Sequence, residues 1–242
     1  MQKLGEKLFS MILGLLVLGI MLYLAKGMSV YTASGAVTKE GIQEKNGEEE
    51  KVCIVLDAGH GGFDPGKVGI TGQKEAEINL KIALKVRSYL EANDVKVVMT
   101  RETEDGLYDE GADNKKVQDM KKRIEIMEGA GALAVVSIHQ NSYGEEYVNG
   151  AQVFYHEESA EGQELAKLLQ ESLRSRLNPE NHRQIKANDS YYLLKKTSVP
   201  TVIVECGFLS NYNEAALLET EEYQDRVAWA VCMGIYQFIN KN

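Results

Sequence analysis

Short apolar runs alternate with amphipathic helical segments along the chain from residue 51 to the C-terminus. The apolar runs predict strands at 52–56, 95–100, 133–138, 152–156, 191–194 and 199–204. Helical periodicity covers 75–93, 115–129, 161–177 and 221–240. Strands that alternate with helices are typical of an α/β fold. We therefore expect a mostly parallel, mixed sheet of about six strands, flanked by helices, in a single domain spanning residues 51–242.

The first 50 residues differ in character from this domain. Residues 8–25 form an apolar run without a charge, and the lysines that precede it favour a cytoplasmic N-terminus. The run is at the lower limit for a membrane-spanning helix and longer than the usual core of a signal peptide. Residues 1–26 are therefore expected to be a membrane anchor or a cleaved signal, with small residues at 34–36 as a cleavage site. In either case the rest of the chain is exported, and the polar residues 27–50 are a flexible linker.

The charge and cysteine content argue against nucleic-acid binding and against a zinc site made of cysteines. The chain carries 36 Asp and Glu against 27 Lys and Arg, a formal net charge of −9, which argues against nucleic acid as a partner. The three cysteines have no CxxC spacing and so provide no zinc–thiolate site. Buried free thiols are expected at Cys53, in an apolar strand-like run, and at Cys232, in a helical one.

Histidines and carboxylates stand where several predicted elements begin or end. His60 follows the first strand, His139 follows the third, and Glu205 follows the strand at 199–204, while Glu75 begins the first helix. Ligands of open α/β sheets bind beyond the carboxyl ends of the strands, so these side chains are expected to converge at one edge. Two imidazoles and one carboxylate can hold zinc with one position open for water. A second carboxylate nearby can accept a proton from that water.

Each of these residues also has an ordinary structural interpretation. His60 could be a surface loop residue, and His139 a hydrogen-bonded core residue. An acidic residue in the first turn of a helix complements the helix dipole, so Glu75 needs no ligand role, and Glu77 competes with it for one. Glu205 could belong to a buried ion pair, since a carboxylate is costly to bury alone.

The local sequences around these residues match a known pattern. They read Asp-Ala-Gly-His-Gly-Gly at 57–62, Ser-Ile-His-Gln-Asn at 137–141 and Glu-Cys-Gly-Phe-Leu-Ser-Asn at 205–211. In this order they resemble the zinc-dependent N-acetylmuramoyl-L-alanine amidases of bacterial cell walls, the Amidase_3 group, from residue 52 to the C-terminus. The single-domain layout and the 115–128 region look most like the spore-cortex, germination-specific branch.

The resemblance implies a role for each candidate residue. Zinc is expected on His60, Glu75 and His139, and Glu205 is expected to be the general acid/base. Asp57 could orient an imidazole or simply initiate a turn. The remaining candidates carry an alternative of their own: Asn141 could face the substrate or stabilise its loop, and Arg101 and Arg123 could contact the peptide stem or form structural salt bridges.

The implied reaction is hydrolysis of the amide between N-acetylmuramic acid and the L-alanine of the stem peptide. Peptidoglycan is then the substrate, and the domain acts outside the cytoplasm, anchored through its N-terminal segment or secreted. The sequence leaves open whether a regulatory protein partner exists. Three other functions remain open: a non-catalytic peptidoglycan-binding domain, a zinc peptidase that cuts within the stem, and a non-haem iron oxygenase with the same ligand types.

Overall fold

The computed structural model describes residues 51–242, which contain a six-stranded sheet and six helices. The strands are β1 (Cys53–Ala58), β2 (Lys96–Met99), β3 (Ala134–Asn141), β4 (Gln152–Tyr155), β5 (Lys186–Ala187) and β6 (Thr201–Phe208). The helices are α1 (Glu75–Glu91), α2 (Lys115–Gly129), α3 (Ala160–Leu177), α4 (Tyr192–Lys196), α5 (Tyr212–Leu218) and α6 (Glu221–Ile239). The predicted α/β class is confirmed.

The sheet is mixed, with the strand order β2-β1-β3-β6-β4-β5. The four adjacent strands β2, β1, β3 and β6 run parallel to one another. Strand β4 is antiparallel to β6, and β5 is parallel to β4. A bulge in β6 after Glu205 shifts the register, so that His139 lies opposite Glu205 but Asn141 lies opposite Phe208.

Alternating side chains divide the sheet between two layers of helices. Even-numbered residues of β1, β3 and β6 pack with helices α1, α3 and α6 in one large apolar cluster. The stripe of four aliphatic residues on α1 lies in this cluster and is almost fully buried: Ile78, Ile82, Val86 and Leu90. The opposite face is covered only in part, by α2 and α4 over a small cluster that includes Val55, Met127 and Leu193. Polar side chains of the strands, among them Asp57 and Ser137, therefore lie on this second face instead of in an apolar cluster.

Side-chain caps fix where several helices begin. The hydroxyls of Ser159 and Thr220 accept hydrogen bonds from the third helical N–H of α3 and α6, at Gly162 and Tyr223. Such caps satisfy backbone donors that have no partner within the helix. The predicted starts of these two helices agree with the caps to within one residue.

The prediction of a strand at 191–194 was wrong, because these residues begin helix α4 instead. A turn precedes this helix. The side-chain oxygen of Asn188 accepts hydrogen bonds from the N–H groups of Ser190 and Tyr191 and so closes the turn. The fifth strand is the two-residue β5, and helix α5 was not predicted at all.

Cys53 and Cys232 are buried and free, as predicted, and so is Cys206. No helix within residues 51–242 is long and apolar enough to cross a membrane. The anchor or signal predicted for 1–26 and the linker predicted for 27–50 lie outside the described residues.

Candidate metal centre and catalytic cleft

His139 and Glu205 project from the same face of the sheet. They are directly paired between the parallel strands β3 and β6, and directly paired residues share a face. Both were predicted to follow their strands, but β3 continues to Asn141 and β6 to Phe208. The two side chains therefore stand on the partly covered face of the sheet, near its carboxyl edge.

His60 reaches this face from the loop after β1, with its backbone in the left-handed region at φ 63°. That conformation is uncommon for a residue other than glycine and has to be held by its surroundings. Arg123 of α2 supplies part of the hold, because its Nη2 donates a 2.5 Å hydrogen bond to the carbonyl oxygen of His60. The neighbouring Gly66, at φ 66°, leaves room for the imidazole, which a side chain there would meet.

Glu75, the first residue of α1, joins the two histidines. Its Oε1 lies 2.9 Å from Nδ1 of His139 and 3.2 Å from Nε2 of His60. One ligand atom from each of the three side chains lies within 4.8 Å of the others. The competing carboxylate, Glu77, is instead exposed and pairs with Lys74 at 3.0 Å. The geometry thus favours Glu75 over Glu77 as the carboxylate of a metal site.

Backbone donors hold the Glu75 carboxylate in place. Oε2 accepts a 2.8 Å hydrogen bond from the N–H of Lys67, and Oε1 accepts a 3.1 Å bond from the N–H of Gln140. Burial alone would raise the pKa of Glu75, but the hydrogen bonds and charges of His139 and His60 outweigh it and hold the pKa well below its usual range. Glu75 is therefore a fixed anion, as a metal ligand must be.

Glu205 is buried beside this group without a partner for one of its oxygens. The side chain is 7 % exposed, and its Oε2 has no hydrogen-bond partner among residues 51–242. Burial is the main cause that raises the pKa of Glu205 to about 7, and the negative charge of Glu75 adds to it, while the two histidines oppose it. A carboxyl group with this pKa can both accept and donate a proton near neutral pH.

These side chains open into a cleft with a volume of about 620 Å³. Its lining includes the His60, Glu75 and His139 group, Glu205, and the side chains of Asn141 and Tyr191. Gly59 forms part of the wall, and a Cβ there would lie 2.2 Å from the ring of His139. The glycine is thus required for the imidazole to sit against the β1 loop.

Of the two predicted substrate contacts, only Asn141 borders the cleft. Arg101 is 4 % exposed, and its guanidinium donates to four backbone carbonyls, those of Ala58, Gly59, Ala76 and Thr103. These bonds tie the β1 loop to the start of α1. The structure therefore gives Arg101 a structural role rather than the predicted contact with substrate.

A comparison with known protein families identifies the group to which this fold and site belong. The family model described as Amidase_3, N-acetylmuramoyl-L-alanine amidase, matches residues 54–237. The chain belongs to the Amidase_3 family. It is thus a member of a family of enzymes that hydrolyse amide bonds of the bacterial cell wall.

Individual Amidase_3 proteins resemble the chain over most of their length. The germination-specific N-acetylmuramoyl-L-alanine amidase of Bacillus subtilis is 36% identical over 192 residues, which are 78% of this chain and 80% of that protein. The CwlD amidase of Clostridioides difficile, solved in complex with the GerS lipoprotein, is 39% identical with a TM-score of 0.77, over 79% of this chain and 100% of that one. The resemblance to the germination-specific branch is confirmed.

A more distant Amidase_3 structure shows the same fold. The AmiC2 amidase of Nostoc punctiforme is 30% identical with a TM-score of 0.68, over 78% of this chain and 97% of that chain. The fold is therefore shared beyond the germination-specific proteins.

One feature of this Amidase_3 site was missed by the sequence reasoning. Arg123 is buried and bonds Asp57 through Nη1 at 2.5 Å and Asp119 through Nε at 2.6 Å. Within residues 51–242 Asp57 makes no hydrogen bond to an imidazole; its other hydrogen bonds come from the hydroxyls of Thr100 and Ser137. The interpretation of Asp57 as the residue that orients an imidazole is wrong. Arg123 stood among the possible salt-bridge residues, but nothing in the spacing identified its two partners.

Proposed function

We propose that this amidase hydrolyses the amide between N-acetylmuramic acid and L-alanine, using zinc held by His60, Glu75 and His139 and Glu205 as general acid/base. The observation that carries the proposal is the buried carboxylate of Glu205, which faces the same cleft as the His–Glu–His group and has one oxygen without a hydrogen-bond partner in the described part of the chain. Family membership supplies the choice of bond.

The donor set fits zinc. Two imidazole nitrogens and one carboxylate oxygen are ligands that zinc accepts in catalytic sites with an open fourth position, and the three side chains lie close enough to share one ion. Zinc bound there supplies the chemistry of metal hydrolases, since it acidifies a water molecule and polarises a carbonyl. The carboxylate of Glu75 also raises the pKa of His139 against the opposing effect of burial, so metal binding competes with protonation of this imidazole.

Glu205 performs the proton transfers in this proposal. It takes a proton from the attacking water and returns it to the amide nitrogen as the C–N bond breaks, which leaves a free amine on alanine. In the zinc-free site, burial raises the pKa of this carboxyl group above its usual range, which suits a group that both takes up and releases a proton. Asn141, at the border of the cleft, contacts the substrate.

The physiological setting follows from the relatives. The likeness to germination-specific amidases supports a role in the spore cortex, outside the cytoplasm. The chain reaches that place as an anchored protein or a secreted one, through residues 1–26. The complex of the Clostridioides difficile relative with a lipoprotein supports a regulatory protein partner for this chain as well.

Of the other functions, the structure argues against a binding domain but does not distinguish a zinc peptidase. A peptidoglycan-binding domain without activity has no use for a buried, unpartnered carboxylate beside a metal group, and Glu205 is one. A zinc peptidase of the stem would use the same chemistry, so only the identity of the bond distinguishes it.

The test is digestion of purified peptidoglycan by the full-length chain, with the products identified by mass spectrometry. We expect stem peptides with a free N-terminal L-alanine and uncut glycan chains. The products should disappear with a zinc chelator and return when zinc is added. New reducing sugar ends, or new termini on other stem residues, would contradict the proposal.

The neighbouring carboxylates Glu75 and Glu77 allow a controlled test of the metal ligand. Glu75→Gln should lose most of the bound zinc, measured by elemental analysis of the purified protein. Glu77→Gln removes an equal charge two residues away, from an exposed side chain paired with Lys74, and should keep its zinc. Equal zinc contents in the two variants would rule out Glu75 as a ligand.

A further inference from the structure

A second groove, with a volume of about 400 Å³, adjoins the catalytic cleft. Asn141 and Tyr191 line both, so the two spaces meet at these side chains. The charged residues of the second groove are Arg183 and Lys186, and no Asp or Glu lines it. A cationic groove is unexpected in a chain with a formal net charge of −9.

The sheet register continues the catalytic face into this groove. Gln152 of β4 is directly paired with Glu205, and Phe154 is directly paired with Lys186 of β5. Paired residues share a face, and so do alternate residues of one strand. Glu205, Gln152, Phe154 and Lys186 therefore project from the same face of the sheet, from the centre of the active site outward to the edge strand.

Arg183 is held in the groove in a fixed orientation. Its Nε donates a 2.6 Å hydrogen bond to the carbonyl of Asn149, and Nη1 donates a 3.3 Å bond to Oε1 of Gln152. The guanidinium carbon lies 4.6 Å from the centre of the Phe208 ring. A stacked guanidinium with only part of its donors used is well suited to bind a carboxylate.

Neither cation of the groove forms an ion pair within the described part of the chain, although Arg183 is near enough to Glu214 to oppose the rise that burial causes in the pKa of that carboxyl group. No carboxylate of residues 51–242 lies within ion-pair distance of Arg183 or Lys186. Lys186 is exposed, and its Nζ lies 6.0 Å from the centre of the Phe154 ring. Two positive charges thus remain available to an external anion next to the cleft.

We infer that this groove binds carboxylate groups of the stem peptide beyond the alanine whose amide is cut. The inference rests on the proposed function. The glycan on the other side of that amide carries no charge once the lactyl carboxyl is in amide linkage, whereas the peptide carries free carboxylates. The only part of the substrate that complements Arg183 and Lys186 is therefore the peptide. The groove makes these two residues determinants of substrate specificity.

The test compares two muramyl peptides as substrates of the full-length chain, one with free carboxylates beyond alanine and one with those carboxylates amidated. For Arg183→Gln combined with Lys186→Gln, the KM for the free-carboxylate substrate should rise about tenfold, as expected when charge-assisted hydrogen bonds are lost. The kcat should stay nearly unchanged. The amidated substrate should have this high KM already with the unaltered enzyme, and the double variant should not raise it further.

The matched control removes the same charge from the opposite side of the sheet. Lys81→Gln combined with Lys167→Gln changes exposed lysines on α1 and α3 and should leave both KM values unchanged. Lys186→Gln alone guards against a folding effect, since Lys186 makes no side-chain hydrogen bond within residues 51–242. It should raise the KM for the free-carboxylate substrate in the same direction.

The outcomes separate this inference from the proposed function. Equal KM values for the two substrates with the unaltered enzyme, or equal losses on both in the double variant, would overturn the carboxylate groove alone. Failure of the unaltered enzyme to release N-terminal alanine from either substrate would overturn the proposed function.

Discussion

Two buried carboxylates on the same face of the sheet have opposite protonation behaviour. Asp57 is fully buried and accepts hydrogen bonds from Arg123, Thr100 and Ser137. Burial alone would raise its pKa, but the charge of Arg123 and the two hydroxyls outweigh burial and lower it to about 2. Glu205 is buried nearly as well and has one oxygen without a partner, and its pKa rises to about 7.

The difference shows that partners, rather than burial, decide which carboxylate can exchange a proton. Asp57 is a permanent anion that fixes Arg123, and Arg123 in turn fixes the carbonyl of His60. Glu205 remains free to change its protonation state beside the ligand group. One is expected to matter for stability and the other for turnover, so the comparison can be tested by removing each in turn.

The largest expected effect is on turnover. Glu205→Gln should reduce kcat by about 10²- to 10⁴-fold, the range that a positioned general acid or base contributes, because glutamine cannot accept the proton. Zinc content should stay near that of the unaltered protein, because Glu205 lies outside the proposed ligand group. Near-normal activity with zinc bound would remove Glu205 from the mechanism, and loss of most zinc would make it a ligand.

The next effect is on folding stability. Arg123→Met should lower the free energy of unfolding by about 3–5 kcal/mol, because it leaves Asp57 as a buried charge without its main partner. Lys122→Met is the matched control: it breaks a 3.1 Å pair with Asp109 on the exposed side of the same helix and should cost less than about 1 kcal/mol. Urea unfolding of the two variants measures the difference, and similar losses would contradict the assignment of a structural role to the Arg123 cluster.

The sequence predicted the role of Glu205 better than it predicted the partners of Asp57. Glu205 could be found because it interrupts an apolar strand and stands in a short motif, and both signals are local. The pairing of Arg123 with Asp57 joins residues 66 positions apart, and no pattern of spacing indicates which buried arginine meets which aspartate. The two alternatives for Arg101 stayed open for the same reason, since its four carbonyl acceptors come together only in the fold.

The fold shows the same division between local and long-range information. Strands with long apolar runs and helices with a clear stripe were predicted to within a few residues. The run of aromatic and aliphatic residues at 191–194 was expected to be a strand, but one helical turn lets Leu193 pack with the cluster under α2 while Leu194 packs against Phe154 and Ile203. This choice depends on two clusters that form only when distant strands pair.

A smaller effect concerns stability as a function of pH in the zinc-free protein. The pKa of Glu205 is raised in the folded state to about 7, so folding takes up a proton between about pH 4.5 and pH 7. The free energy of unfolding therefore falls progressively as the pH rises through this range. Above that range the charged form costs on the order of 3 kcal/mol. Glu205→Gln should therefore be more stable than the unaltered protein at pH 8 and similar to it at pH 4.5. A stability difference that is constant over this pH range would contradict the raised pKa.

The smallest expected effect is the loss of stability when Asp57 loses one of its hydrogen bonds. Thr100→Val keeps the shape of the side chain but removes the hydroxyl that donates to Oδ1 of Asp57 at 2.7 Å, which should cost about 2 kcal/mol at neutral pH. The pKa of Asp57 is lowered in the folded state, so the stability gained from its charged form is present above about pH 4 and is lost as the pH falls through about 2. The difference in stability between the variant and the unaltered protein should accordingly be constant from pH 7 to pH 4 and shrink at lower pH.

Thr103→Val is the matched control. It removes an exposed hydroxyl bonded to Asp105 and should change stability by less than about 0.5 kcal/mol at any of these pH values. If the two threonine variants behave alike, Asp57 does not depend on the Thr100 hydrogen bond to remain charged, and the contrast with Glu205 rests on Arg123 and Ser137.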